Sequence, residues 1–152
     1  MKKGILEDTV PLELNAKELV HRNNKNSELT VYGYTPMMVS VQCVQKTMDH
    51  CNHACVQYVL KDRYQKEFRG VCSCEFCYNT IYNALPTSLL KEKEKAEKLG
   101  VKAYRLSFTT ETQQETEKIV RAFVDGYLRG QKPDGQMQTE ETTKGHFQRG
   151  VE

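Results

Sequence analysis

All six cysteines of this 152-residue chain fall between Cys43 and Cys77, and the rest of the sequence has none. A disulfide framework staples distant segments of small secreted domains, whereas a local cluster reads as metal or redox chemistry. Thiolates hold soft or borderline metals, and four fill the shell of a structural zinc or anchor an iron–sulfur cluster. Two sets of four offer themselves. Cys74-x-x-Cys77 and Cys51-x-x-x-Cys55 are close chelating pairs with room for a hairpin between them, as in a zinc ribbon, so spacing alone favours zinc. Cys43, Cys51, Cys74 and Cys77 form a looser set that suits a cluster reached from separate loops, and it leaves Cys55 and Cys72 spare. His50 and His53 are substitute ligands, although a histidine in a polar loop is more often simply solvated.

The surroundings of the cluster narrow the classes. Twenty-two basic against 20 acidic residues leave a formal charge of +2, so no global basic field favours nonspecific nucleic-acid binding. With a mean hydropathy of -0.68, no run reaches the roughly 18 apolar residues of a membrane span. The start, Met1 to Asp8, turns acidic where a signal peptide would turn apolar. A cytoplasmic chain with no membrane partner is expected.

Before the cysteines, residues 10–15 read as a strand, Asn15 as the cap of a helix over 16–21, and 28–34 as a second strand. The apolar run 36–41 follows, with Met37 and Met38 expected in the core. Within the cysteine-rich stretch, 57–61 and 67–71 read as a hairpin around 62–66. A helix is expected over 87–99, with Leu89, Leu90, Ala96 and Leu99 inward and Gly100 as its left-handed stop. A strand over 101–108 then feeds a helix whose Thr112-x-x-Glu115 is a capping box. Its stripe Ile119, Phe123 and Tyr127 reads as core. Residues 131–136 have turn chemistry.

These elements predict an α/β fold: the C-terminal part of a TIM-type barrel, about three βα elements, with an inserted cysteine-rich hairpin module. That is too few to close a barrel of about 250 residues, so the chain is expected to be part of something larger. The expected divisions are 1–42 for barrel-like β-α-β elements, 43–83 for the cysteine module, 84–130 for a helix and the last βα unit, and 131–152 for linker and tail.

Five stretches in order carry a family resemblance. They are Val31-Tyr32-Gly33-Tyr34-Thr35-Pro36-Met37-Met38-Val39-Ser40-Val41-Gln42-Cys43, Leu60-Lys61-Asp62-Arg63, Cys74-Glu75-Phe76-Cys77-Tyr78-Asn79-Thr80-Ile81-Tyr82-Asn83, Tyr104-Arg105-Leu106-Ser107-Phe108-Thr109 and Thr143-Lys144-Gly145-His146-Phe147-Gln148-Arg149-Gly150-Val151. Together they resemble the C-terminal part of the collagenase-like peptidases, peptidase family U-thirty-two. The resemblance implies a barrel-type catalytic domain and an iron–sulfur cluster on Cys43, Cys51, Cys74 and Cys77. It also implies that the chain begins where the barrel is more than half built, so that alone it is expected to lack full activity. Better-understood relatives hydroxylate RNA bases or quinone precursors despite the family name. The expectation is therefore an RNA-modifying hydroxylase acting on tRNA or rRNA, with the N-terminal barrel part in the same or another chain. Proteolysis and a zinc-ribbon binding module (Cys51, Cys55, Cys74, Cys77) are the alternatives. No Gly-x-Ser-x-Gly or His-Glu-x-x-His occurs. Cys55 and Cys72 are additional to the family's four.

Other residues offer weaker signals. His146 and Arg149 pair an imidazole with a guanidinium and suit a phosphate or carboxylate at a substrate mouth, or a plain surface tail. Glu13 and Asn15 stand where a barrel strand would end, or serve the helix cap. Arg63, Lys66 and Arg69, interleaved with Tyr58, Tyr64 and Phe68, would make a basic aromatic face for RNA.

Overall fold

The computed structural model describes residues 7–49, 51–131 and 141–149. His50, most of the 131–136 turn and the last three residues of the tail lie outside them. In chain order the elements are β1 (Asp8–Thr9), α1 (Ala16–Val20), β2 (Ser27–Gly33), β3 (Pro36–Ser40), α2 (Val44–Thr47), β4 (Val56–Lys61), β5 (Glu67–Ser73), β6 (Tyr78–Tyr82), β7 (Thr87–Ser88), α3 (Lys93–Lys98), β8 (Ala103–Ser107) and α4 (Gln113–Phe123). They form two compact units, one of Tyr34–Pro86 and one of the segments on either side of it.

In the flanking unit β2 is the central strand. Glu28 stands between Thr9 and Ala103, and Tyr32 between Ser88 and Leu106, so β8 occupies one edge while β1 and β7 share the other. The pairs β1–β2 and β2–β8 are parallel, β7 is antiparallel, and neither sheet of this mixed α/β structure closes into a barrel. Leu29 and Val31 are buried with Leu19, Leu89, Ala96, Ile119 and Phe123 in one core. The α4 stripe packs as its spacing predicts: Phe123 stacks on Tyr127 at 5.6 Å, and the Tyr127 hydroxyl donates to the Leu89 carbonyl at 2.9 Å. Phe147 carries the tail into the same core. Between Lys144 and Lys95, Glu92 is held below the usual carboxylate range, so the tail is also tied by charge. Among the described residues no helix is long and apolar enough to cross a membrane.

The local signals behave unevenly. Asn15 and Thr112 each form the full capping box, and Gly100 turns left-handed at φ 63 where α3 ends. The strand expected over 10–15 is instead β1, which stops before Pro11, a residue with no N–H to give a ladder. The helix expected over 87–99 starts late. Thr87 and Ser88 pair with β2, the Ser88 N–H donates to the Thr143 carbonyl, and a 3₁₀ turn at Leu90–Glu92 precedes α3.

The Tyr34–Pro86 unit is an antiparallel sheet in the order β3-β6-β5-β4. The expected hairpin is present in register, with Gln57 opposite Val71 and Lys61 opposite Glu67. Its turn is held by the Asp62 carboxylate, which accepts from the Tyr64 and Lys66 N–H groups. Met37 and Met38 are not core: they are 62% and 54% exposed, on an edge strand paired only with β6.

Gly33 joins the two ladders at a close approach. With φ at 151, a Cβ there would lie 2.6 Å from the Ser107 carbonyl oxygen on β8. Gly33→Ala is expected to destabilise the chain by about 1–3 kcal/mol, read as a lower denaturant midpoint at unchanged slope. A midpoint equal to the parent's would show that β8 shifts freely.

Candidate metal centre

The cysteines are brought together by a strand, a turn and two loops. Gly70 and Cys72 alternate on one face of β5, and Cys74 opens a 3₁₀ turn, Cys74–Phe76, that continues the strand. The turn ends on Cys77 at φ 51, a left-handed residue that reverses the chain into β6. Cys43 comes from the other side, as the residue before α2. Cys51, His53 and Cys55 lie on the loop that leads to β4.

Cys72 is fully buried between two ladders, opposite Val56 on β4 and Asn79 on β6. Its sulfur is 3.4 Å from that of Cys43, which is itself 3% exposed. Asn79, also buried, holds the peptides on both sides of Cys43. Its amide group donates to the Gln42 carbonyl, and its oxygen accepts a long contact from the Val44 N–H at 3.5 Å.

Beside this pair, the sulfurs of Cys51 and Cys74 and a ring nitrogen of His53 lie within 4.8 Å of one another, close enough to bind one metal ion. His53, a substitute in the sequence reading, is drawn in by a left-handed backbone at φ 58. Burial pushes the Cys74 thiol up, and Cys51, Cys43 and Cys77 add to the effect in that order. Burial, with Cys43, Cys74 and Cys55 behind it, pushes the Cys72 thiol up to about 11. Cys43 moves the other way, lowered first by the Lys46 N–H, then by the Cys72 thiol and the Gln45 N–H.

The grouped ligands suit a thiophilic metal, since they are two sulfurs and an imidazole with no carboxylate, and the remaining cysteines of the unit are free thiols. A second observation agrees. The Tyr58 ring lies over Gly70, where a Cβ would come within 2.3 Å of it, and its buried hydroxyl has no hydrogen-bond partner. Burial raises the Tyr58 pKa, followed by Cys72 and Cys43. A bound group rich in sulfur acceptors would give that hydroxyl a partner.

Of the loosely spaced set Cys43, Cys51, Cys74 and Cys77, Cys51 and Cys74 are brought together with His53, while Cys43 and Cys77 act on the Cys74 thiol by their charge. Cys55, from the ribbon-like set, acts on Cys72 and is exposed. His146 and Arg149 are exposed on the tail, in the other compact unit. Asn15 is engaged as a helix cap, and Glu13 is exposed. The sequence reading passed over Asn79 and Tyr58 as parts of the site. The signal for both is the period of two: Gly70 and Cys72 share a face, and their cross-strand partners are Tyr58 and Asn79. No family model, curated protein or solved structure matches the chain.

Because metal must displace protons from the thiols, binding is expected to weaken as the pH falls. Competition titrations with cobalt(II) at about pH 8 and about pH 6 should give lower affinity at the lower pH, with proton release. Affinity independent of pH would exclude thiolate ligands.

Proposed function

We propose that the chain is the C-terminal part of a collagenase-like peptidase-family protein and holds an iron–sulfur cluster through Cys43, Cys51, Cys74 and Cys77. The observation that supports this reading is that the Cys74 and Cys51 sulfurs lie within 4.8 Å of each other and of a ring nitrogen of His53, with Cys43 and Cys77 also acting on the Cys74 thiol. A bound cluster would supply one-electron transfer. The residues of the chain supply a shielded seat for it, with Cys43 and Cys74 buried and backbone N–H groups directed at Cys43.

The flanking unit supports the barrel reading. β1–α1, β2 with α3, and β8–α4 are three successive strand-to-helix units, and β1, β2 and β8 are parallel neighbours in chain order. The cysteine unit leaves after the last residue of β2, at the end of a strand where barrel enzymes carry their chemistry. The missing strands would come from the N-terminal part, in the same or another chain.

Redox chemistry on RNA is favoured over proteolysis. A cysteine nucleophile needs a lowered pKa and access, and none of the three buried cysteines has both: Cys72 and Cys74 are pushed up, and the lowered Cys43 is buried against another thiol. At the hairpin turn Arg63 lies 4.7 Å over the Tyr64 ring, a charge and a stacking surface together, as a tRNA or rRNA substrate would use. A second reading, a structural zinc, is favoured by His53, because mixed cysteine and histidine shells are typical of zinc.

Anaerobic purification of the chain, of Cys74→Ser and of Cys55→Ser, with iron, sulfide and zinc analysis and a visible spectrum, separates the two. The expected result is a brown parent with iron and sulfide, colour retained in Cys55→Ser and lost in Cys74→Ser. A colourless zinc protein would overturn the cluster assignment.

A further inference from the structure

Beyond the carboxyl end of β8 the chain makes a short turn, Phe108 to Thr112, before α4 begins. Two side-chain oxygens in it, Thr109 Oγ1 and Glu111 Oε1, are buried and have no hydrogen-bond partner among the described residues. A buried polar atom left unpaired is costly, so two of them on one turn call for a ligand. We propose that Thr109 and Glu111 form a base-reading site, in which the Glu111 carboxylate accepts an N–H of a nucleobase and the Thr109 hydroxyl meets the acceptor beside it. For the identity of its ligand the inference rests on the RNA-base chemistry proposed above.

The turn fixes the carboxylate by one oxygen and leaves the other unpaired. Glu111 Oε2 accepts from the Thr109 and Thr110 N–H groups at 2.7 and 3.0 Å. The helix does not compete for it, because Thr112 and Glu115 satisfy each other's N–H groups in the capping box. Behind the turn Phe108 packs against Tyr32 at 5.5 Å, which anchors the loop in the core.

Its place in the sheet agrees. Open α/β sheets bind ligands outside the carboxyl ends of their parallel strands. Gly33, the last residue of β2, stands between Thr87 and Ser107, and Thr143 of the tail bridges to Thr87. Thr143, Thr87, Gly33 and Ser107 thus make a row across the end of the sheet, and Thr109 follows two residues after Ser107. Neither this row nor the turn 108–112 contains a lysine or arginine, so the carboxylate is left for the donor of a ligand.

The chemistry of the pair selects that ligand. An ionised carboxylate only accepts, whereas a hydroxyl donates or accepts. Together they match an edge that carries an N–H beside an acceptor, as the pairing edges of cytosine, adenine and uracil do. A phosphate or carboxylate ligand is unsuited, since it would bring a second negative charge to Glu111.

Nuclear magnetic resonance on the isotope-labelled full chain tests this directly, because the amide signals of Thr109 and Thr110 report on the carboxylate they donate to. Cytidine and uridine are expected to move both signals saturably. Uridine methylated at its ring N–H should not. Glu111→Gln keeps the anchoring oxygen but presents an N–H₂ where the carboxylate presents an acceptor, and should weaken cytidine binding by about 10-fold or more. Thr109→Val keeps the shape, loses the hydroxyl and should weaken it less. Signals that no nucleoside moves would leave water as the partner of the two oxygens and overturn the site. So would equal shifts from the methylated uridine, or from magnesium chloride alone. These arms use the parent chain and stand even if neither variant folds. A colourless zinc protein that binds cytidine here would keep this site while the cluster assignment fails, and a brown protein with unmoved signals would lose this site alone.

Discussion

The two ladders of β5 are the constraint on which the cysteine unit depends. β4 and β6 fix the backbone of β5 from both sides, and with it the side chains of Gly70 and Cys72. Every other contributor is placed by reference to that strand: Tyr58 fits over Gly70 because no Cβ is there, and Asn79 stands opposite Cys72. Cys74 and Cys77 follow because the strand runs on into a single tight turn. A flexible loop would have to order its thiols when metal arrives. Here three of the six are already buried, so part of that entropic cost is met in folding.

The price of this arrangement is crowding. Thiols close together in a buried place oppose one another's ionisation, and Cys72 and Cys74 are both pushed up. A metal ion would relieve the conflict by accepting the charge that the protein alone disfavours. The raised Cys72 and Cys74 thiols are ones whose ionisation a bound cation would favour.

Much of this was legible in the sequence, and what was not has physical reasons. The hairpin was readable from its apolar strands and polar turn, Asn15 as a helix cap, and the capping box of α4 from Thr112 with Glu115. The α4 stripe was readable from spacing, since one face of a long helix must find a core. Misreadings arose where tertiary pairing outweighed local pattern. Thr87 and Ser88 look like the start of a helix but complete an edge of β2, and Met37 and Met38 look like core but lie on an edge strand. In the site, clustering announced the cysteines, while spacing alone ranked two ligand sets and could not say that Cys72 faces Cys43. Asn79 was harder to see because the period of two marks the face of β5 but not the register that sets Asn79 opposite Cys72.

Gly33 and Thr87 are direct partners across β2 and β7, and between them the chain makes its whole excursion through the cysteine unit. The entrance and exit of that excursion are therefore neighbours held by a ladder. The entropy of closing such a loop grows only logarithmically with length, by about 0.6 kcal/mol for each doubling. For the host unit, the size of the inserted segment is thus nearly neutral. This junction is a place where evolution or an engineer can lengthen, shorten or exchange the cysteine-rich unit while the parallel strands keep their register.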